Sequence, residues 1–534
     1  ITVVYESPHL PISSSLISLL PMTNLRLNHL IRSAGILMAA FLANKVLAIG
    51  RQIIVAQAFG TGSDYDAFVA AFRLPDILFM LISGGALGTA FIPILSERLT
   101  RRAESDPDGW RLTSAVLNTV LLVVIALSIL TALFALPLVR WLVAPGFSPD
   151  TQQLTANLMR LTLLSTIIFS VSSLVGAVLN TRQHFFLPAI APLLYNLGIM
   201  AGAYFLAGPF GVYGLIWGAI LGAAGHLLVQ LPGLLRFGVR YEALLGWQDP
   251  GLRQVLKLMG PRVLNIVVIQ VNFIVIFNLA SYLGEGSVSA LDYGWDLMQM
   301  PQSLIGSAIG IVLFPTLAEL AAQGDLAGLR QTLAQTLRIM LALALPAMVG
   351  LIVLGRPLIQ LMFERGEFGP DSTAAVYQTL QFWAFGLIAH SALEVVNRVF
   401  YAQKDTITPF LSSVVSMLIN LGLALSLTSS LQAGGLALAN GLAVTVEVLI
   451  MLVIAHRRLA GVEAAAIADT LLRTLLAAGA MGAVIIAFTR LLPDLSPLLI
   501  AAGGGLLGVA TYLVAGLLLG VREIRLMPRL AVWR

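Results

Sequence analysis

The chain has 534 residues, 58% of them hydrophobic and only 11% charged, with no cysteine and a formal net charge of +5. A soluble domain carries roughly 25% charged residues, so this composition excludes one that faces water all round. The absence of cysteine excludes disulfides, thiolate metal sites and cysteine nucleophiles, and the six histidines are scattered without metal-ligand spacing.

Residues 1–21 lack the basic start of a signal peptide, and Ser13-Ser14-Ser15 interrupts their apolar part. Residues 1–32 are read as an N-terminal tail in which Met22 is a candidate start and 1–21 a candidate non-native extension. Apolar runs then follow at 33–58, 66–96, 112–136, 154–181, 186–206, 211–235, 257–282, 288–318, 331–354, 373–402, 407–428, 433–455, 468–489 and 496–520. Each is long enough to cross ~30 Å of hydrocarbon as a helix. Backbone groups in lipid must be satisfied within the segment, so the runs are helices and not open strands. The expected class is an all-α membrane protein of about 14 transmembrane helices. The connections leave no room for a separate catalytic domain, and the chain is not expected to be an enzyme.

Basic residues set the orientation. With the N-terminus inside, 20 Lys and Arg fall in cytoplasmic segments or span ends, against 4 outside (Arg140, Arg356, Arg365 and Arg490). The positive charge is therefore membrane topology and implies no nucleic-acid partner. Both termini are expected in the cytoplasm, as an even span count requires.

The chain also repeats. Phe147-Ser-Pro149-Asp150 returns as Phe368-Gly-Pro370-Asp371, and Pro188 as Pro409, at an offset of 221. Gly84-x-Ala86-x-Gly88 returns as Gly306-x-Ala308-x-Gly310, and Pro93-x-x-x-Glu97 as Pro315-x-x-x-Glu319, at 222. A repeat of six spans gives two lobes of like orientation, pseudo-symmetric about an axis along the membrane normal. The lobes are expected at 33–236 and 237–458, with spans 13 and 14 and a cytoplasmic tail in 459–534. Two lobes around a cavity suit transport by alternating access.

Seven basic residues lie within spans, each costing ~2.5–3.5 kcal/mol at mid-bilayer unless it faces protein or water. Lys45, Arg51, Arg73 and Arg160 in the first lobe outnumber Asp66 and Asp76 there, a balance of +2. Arg262, Arg338 and Arg398 in the second face Asp292, Asp296, Glu394 and Glu447, a balance of −1. A guanidinium fork suits a diphosphate, so Arg51 and Arg73 are candidate substrate ligands, with Lys45 adding a point charge and Asp66 nearby. The alternative is internal pairing of these arginines with Asp66, Asp76 or Asp296. Glu394 and Arg398 are four apart on one helix face and can satisfy each other. Asp296, Glu394, Arg398 and Glu447 are candidate cavity or coupling residues. If they carried the function, a cation-coupled small-molecule or drug antiporter would be the alternative.

Asn44-Lys-Val-Leu-Ala-Ile-Gly-Arg51, Ala58-Phe-Gly60 and Asp66-Ala-Phe-Val-Ala-Ala-Phe-Arg-Leu-Pro75 resemble the opening of the MurJ (MviN) family. Phe91-Ile-Pro93, Ala144-Pro-Gly-Phe147, Leu179-Asn-Thr181, Pro188 with Pro192 and Asn196, Gly260-Pro261 and Phe400-Tyr-Ala-Gln-Lys-Asp405 continue the resemblance over nearly the whole chain. It implies the fourteen-helix fold of the multidrug/oligosaccharidyl-lipid/polysaccharide exporter superfamily. It also implies flipping of lipid II, an undecaprenyl-diphosphate peptidoglycan precursor, without ATP, with another polyprenyl-linked glycan as the alternative cargo. By position, Lys45, Arg51 and Arg73 would line the cavity, and spans 13–14 would help hold the lipid tail. The partners implied are lipid II and membrane lipids, with the chain acting as a monomer and without a cofactor. Coupling to Na+ or to the membrane potential is left open. Two places depart from the family pattern. Phe79, Met80 and Gly84 stand where relatives carry paired arginines and a Glu, and Trp295-Asp296-Leu297 stands for Asp-Arg-Leu. Asn265, Asn272 and Asn420 are all that is found where some relatives use carboxylates for sodium.

Overall fold

The computed structural model describes residues 24–82, 86–101 and 107–525. The tail 1–21, Gly84, Gly85, Arg102, Arg529 and Arg534 lie outside the described residues, as do the side chains of Arg26, Arg32, Arg101, Pro261, Arg262 and Asn265. The described residues form helices joined by short turns, with one isolated bridge between Arg365 and Phe368.

The long helices are α1 (Asn24–Phe59), α2 (Ser63–Ile82), α3 (Ala86–Arg101), α4 (Pro107–Leu133), α5 (Pro149–Thr181), α6 (Phe186–Ala201), α7 (Tyr213–Leu228) and α8 (Pro250–Ala280). They continue as α9 (Ser287–Gln302), α10 (Ala308–Gln323), α11 (Leu326–Phe363), α12 (Pro370–Ala402), α13 (Ile407–Arg458), α14 (Ala464–Leu491) and α15 (Pro497–Leu518). Among the described residues, twelve stretches are long and apolar enough to cross a membrane. One of them, α13, is two helices meeting at Gln432, and α2 with α3 forms a further path, which brings the crossings to fourteen.

Four helix starts are set by side-chain caps (Ser148, Asp249, Asp325 and Ser496) and not by hydropathy. The α11 helix starts at Leu326, ahead of the apolar run at 331, because the Asp325 carboxylate accepts from Gly328 N at 2.8 Å. The repeated Phe-x-Pro-Asp motif starts α5 and α12, with Pro149 and Pro370 in the first turn, where a missing N–H costs nothing. Both helices run 33 residues. The eighth crossing joins α9 to α10 through one π-helical turn, Ser303–Ser307, just after Pro301. That proline cannot donate into the helix ladder, so the turn widens beside it.

In the first lobe α1 packs on α6, α2 and α4 on α5, and α7 on both α5 and α6. The second lobe repeats this, with α8 on α13, α9 and α11 on α12, and α12 on α13. Each lobe ties its first and fifth crossings by an asparagine pair: Asn196 donates to Asn44 at 2.9 Å, and Asn420 to Asn272 at 2.6 Å. Between α6 and α7 the backbones touch through glycines, since a Cβ at Gly202 would lie 2.5 Å from the Gly214 carbonyl oxygen. Close approach of this kind replaces the hydrophobic drive that lipid removes. The α14–α15 pair packs on α11, outside the repeat.

The strap between the lobes, residues 237–249, is bound along α4. The Asn118 amide donates to the carbonyls of Glu242 (3.0 Å) and Leu244 (2.8 Å), and Glu242 N donates to Ser114 Oγ at 3.1 Å. At its end Asp249 caps α8 and is held by both outer nitrogens of Arg98 at the end of α3. Burial pushes the Asp249 carboxyl up, but the Arg98 guanidinium and the Gly251 N–H outweigh it and hold it below the usual carboxylate range.

Candidate functional site

Two connected cavities lie between the lobes. The inner one, about 270 Å³, is lined from α1 by Arg51, Gln52 and Val55, from α6 by Tyr195 and Ile199, and from α9 by Asp292 and Asp296. The α2 helix contributes Tyr65, Phe68, Val69, Phe72, Arg73 and Asp76, spaced three and one apart so that they form one helix face. The second cavity, about 1080 Å³, is a mainly apolar cleft between α1, the start of α6 and the α9–α10 crossing. Met38, Phe41, Leu42 and Leu304 in its walls are all at least 60% exposed. Arg51, Gln52 and Asp296 line both cavities, so the cleft leads into the charged pocket.

The charges there are more balanced than the first lobe's own residues imply. Arg73 Nη2 bonds Asp292 Oδ1 at 2.6 Å, and its guanidinium lies 3.6 Å from the Phe277 ring centroid of α8. Gln52 donates to Asp296 at 2.5 Å. Arg51 makes no hydrogen bond or ion pair among the described residues and faces both cavities. Asp76 is water-accessible through the cavity. Two arginines thus share the pocket with three carboxylates, a balance of −1 where +2 is expected from the first lobe alone. The reason is that α9, from the second lobe, presents Asp292 and Asp296 one turn apart toward α2 and α1. Lys45 lines the cleft, 3.5 Å from Ser303 Oγ in the π-helical turn.

Asp66 is placed differently. It is buried and accepts from Gly286 N (2.7 Å), Ser289 N (2.7 Å) and Ser289 Oγ (2.5 Å), so it caps α9 from α2. Gly286 takes a positive φ of 82° to aim its N–H there, a conformation glycine adopts freely. Around this cap the lobes are sewn together at one end. Thr61 and Ser372 hydroxyls are 2.8 Å apart, Ser63 N donates to Glu285, Glu367 N to Gln57 O, and Gly146 N to Ser281 Oγ. Tyr65 stacks on Tyr293 with centroids 5.0 Å apart. The inner cavity is therefore sealed at this end and reached from the cleft on the other.

The family model for the lipid II flippase MurJ matches residues 55–497. The chain belongs to the MurJ family. A probable lipid II flippase MurJ of Rhizobium tropici is 29% identical over 92% of this chain and 94% of its own. The lipid II flippase MurJ of Burkholderia cenocepacia is 32% identical over 69% and 72%. A solved structure of a lipid II flippase MurJ in an inward closed conformation covers 90% of this chain and 97% of its own, at 26% identity and a TM-score of 0.75. An inward-facing multidrug resistance MATE transporter of the MOP superfamily shares the fold, at 15% identity and a TM-score of 0.65 over 78% and 94%.

Within this MurJ-family chain the other sequence candidates lie away from the two cavities. Glu394 and Arg398 pair with each other at 3.4 Å, and Arg398 lies 5.9 Å from the Phe314 ring centroid. Glu447 is buried and accepts from Ser413 at 2.7 Å. Where the family pattern carries paired arginines, Phe79 instead packs on Phe169 (5.5 Å between centroids), which in turn meets Tyr195 of the cavity wall at 4.8 Å. Sequence reasoning placed Asp292 among the second lobe's charges and did not bring it to Arg73. The available signal was its four-residue spacing from Asp296, which puts both on one face of a helix.

Proposed function

We propose that this chain carries lipid II from the inner to the outer leaflet of a bacterial cytoplasmic membrane by alternating access. The observation that carries the reading is the continuity of an apolar, laterally open cleft with a pocket holding Arg51 and Arg73. Such a site matches a ligand with a long hydrocarbon tail and an anionic diphosphate. The tail stays in the cleft and the lipid beyond it, and the diphosphate reaches the guanidiniums, whose planar forks bind phosphate oxygens in pairs. Lys45 meets the same anion on its way in. The 20-to-4 count of basic residues supports an orientation with the sealed end outside and both termini in the cytoplasm, in which the cleft admits substrate from the inner leaflet.

Transport follows from rocking of the two lobes, which carry the same helix packing in the same orientation. The strap 237–249 rides with the first lobe, because α4 holds it, and the start of α8 goes with it, since Leu252, Val255 and Met259 are buried against Phe91, Trp110 and Val116 of that lobe. Lipid II translocation in proteoliposomes tests the reading. Wild type is expected to flip it, and Arg51→Ala to lose roughly 10- to 100-fold, the worth of one charge-assisted bond of about 1.5–3 kcal/mol. A folded wild type that does not move lipid II would overturn the substrate.

A further inference from the structure

We propose that Asp292 and Asp296 are resident counter-anions of the cavity arginines, and that the substrate's diphosphate opens the sealed end by displacing them. The inference rests on the reading of the ligand as a polyprenyl diphosphate, and deepens it by naming what couples binding to movement.

Charge bookkeeping in the pocket forces the issue. As it stands the pocket holds Arg51 and Arg73 against Asp76, Asp292 and Asp296, so an incoming diphosphate meets a net negative site. In a narrow pocket between helices, like charges a few ångströms apart disfavour binding. Asp76 cannot leave, since it lies three residues from Arg73 on the same face of α2. Asp292 and Asp296 can, because both belong to α9 and lie one turn apart, so one displacement of that helix withdraws both. The balance then changes from −1 to +1, and Arg73 exchanges one anionic partner for another.

That displacement does not stay local. The α9 helix begins in the seal: Asp66 of α2 caps its first turn, and Glu285 just before it accepts from Ser63 N. Arg73–Asp292 and Gln52–Asp296 are themselves bridges between the lobes, on the cavity side of the same contact. Withdrawing the two carboxylates therefore pulls α9 from α1 and α2, which is opening at the sealed end. The empty protein is held closed there by its own carboxylates, and the loaded protein is not. Once the diphosphate departs, the arginines recapture Asp292 and Asp296 and the seal re-forms. The sign suits export: the empty carrier favours the state that admits substrate from the cleft, and the loaded carrier the state that releases it at the opposite end. A ligand biases such an equilibrium only through its different affinity for the two states, and the carboxylates supply that difference.

The chain has no cysteine, so a Thr61→Cys/Ser372→Cys pair introduces its only thiols, across the seal where the native hydroxyls lie 2.8 Å apart. The rate of catalysed disulfide formation reads closure. In the otherwise wild-type protein, saturating undecaprenyl diphosphate is expected to slow cross-linking at least tenfold. Adding Asp292→Asn should slow it about tenfold without any ligand and leave the ligand less than a twofold further effect, and Asp292→Glu should restore both. An otherwise wild-type pair that cross-links at one rate with and without undecaprenyl diphosphate would overturn the proposal, and this arm needs no variant of Asp292 to fold. So would an Asp292→Asn protein that closes and responds as the parent does. If undecaprenyl diphosphate slows cross-linking while lipid II is neither bound nor flipped, the counter-anion inference stands and the substrate reading fails. If lipid II is flipped while the seal ignores both lipids, the reverse holds.

Discussion

The first lobe turns into α7 at Gly211 (φ 55°, ψ −140°), and 221 residues later the second lobe makes the same turn at Gln432 (φ 51°, ψ −133°). The helices α5 and α12 likewise end in left-handed residues at that offset, Gln183 (φ 59°) and Lys404 (φ 61°). Backbone and packing repeat down to single residues, whereas the charged side chains do not. In the first lobe Arg51 is left facing the cavities without a partner among the described residues, and Arg73 reaches across to the other lobe. In the second, Glu394 holds Arg398, Ser413 donates to Glu447, and Glu523 holds Arg338. Helix packing constrains both lobes equally, but on the proposed function the anion takes its cations from the first lobe alone, which leaves the second free to neutralise its own. The largest effect that tests this contrast is on transport. Arg51→Ala should cost at least tenfold in lipid II flipping, while Arg398→Ala, which breaks a half-exposed i,i+4 pair worth about 0.3–0.5 kcal/mol, should change it less than threefold. Equal losses in the two variants would erase the distinction between the lobes.

Much of this was legible in the sequence because lipid permits few answers. Apolar runs must be helices, their count follows from length, and the two Phe-x-Pro-Asp motifs mark helix starts wherever they occur. Arg51, Arg73 and Lys45 stood out because a cation within a span needs a reason. What could not be read was which helix faces which. Asp292 and Asp296 belong to the second lobe by position and to the first lobe's pocket by packing, and no local pattern records a contact across 219 residues. Asp66 stands seven residues from Arg73 along α2, but its oxygens are taken by the N-terminus of α9, a partner visible only once the lobes are assembled. Gln432 carried no turn signal, since glutamine is not a residue that marks positive φ.

A second test concerns charges that have no counterpart in the repeat. Arg160 of the first lobe is satisfied within that lobe, by Asn157 (2.7 Å) and the Ala132 carbonyl (3.1 Å). Arg338 instead depends on the segment after α15, where buried Glu523 pairs with it at 2.5 Å and Thr470 accepts from it at 3.1 Å. Removing one partner of a buried pair strands the other, at roughly 3 kcal/mol. Glu523→Ala should therefore lower the thermal midpoint in detergent by several degrees, and Asn157→Ala by clearly less. The opposite order would mean that the C-terminal segment is a bystander to the second lobe.

The turn pair gives a smaller effect of opposite sign. Gln432 holds a backbone conformation that is nearly confined to glycine and costs a side-chain-bearing residue of order 1–3 kcal/mol. Gln432→Gly should stabilise the protein by about 1 kcal/mol, after the extra unfolded-state entropy of glycine is deducted. The converse change, Gly211→Gln, should destabilise by a similar amount, since a Cβ there meets nothing within 4 Å and only the backbone objects. Thermal melts of the two variants check both signs, and a Gln432→Gly protein no more stable than its parent would show that the turn is held by its side chain.

The smallest effect lies in the loop after α12, where the backbone repeat again carries unlike chemistry. Lys404 and Asp405 of the second lobe occupy the positions of Gln183 and His184 in the first. Burial pushes the Asp405 carboxyl up, but the Thr408 hydroxyl, the Thr408 N–H and Arg458 outweigh it and hold it at about 2, below its ordinary 3.8. A depressed carboxylate contributes stability that is fully present above the unfolded-state value and is lost as pH falls through the folded one. The difference in melting midpoint between wild type and Asp405→Asn should thus stay constant from about pH 7 to 5, and shrink between about pH 4 and 2. Only the second lobe has an acid at this turn, so His184→Asn in the first lobe should leave that acid window unchanged. A difference that grows on acidification would mean that Asp405 is protonated more easily in the fold than out of it, and that Arg458 does not hold it.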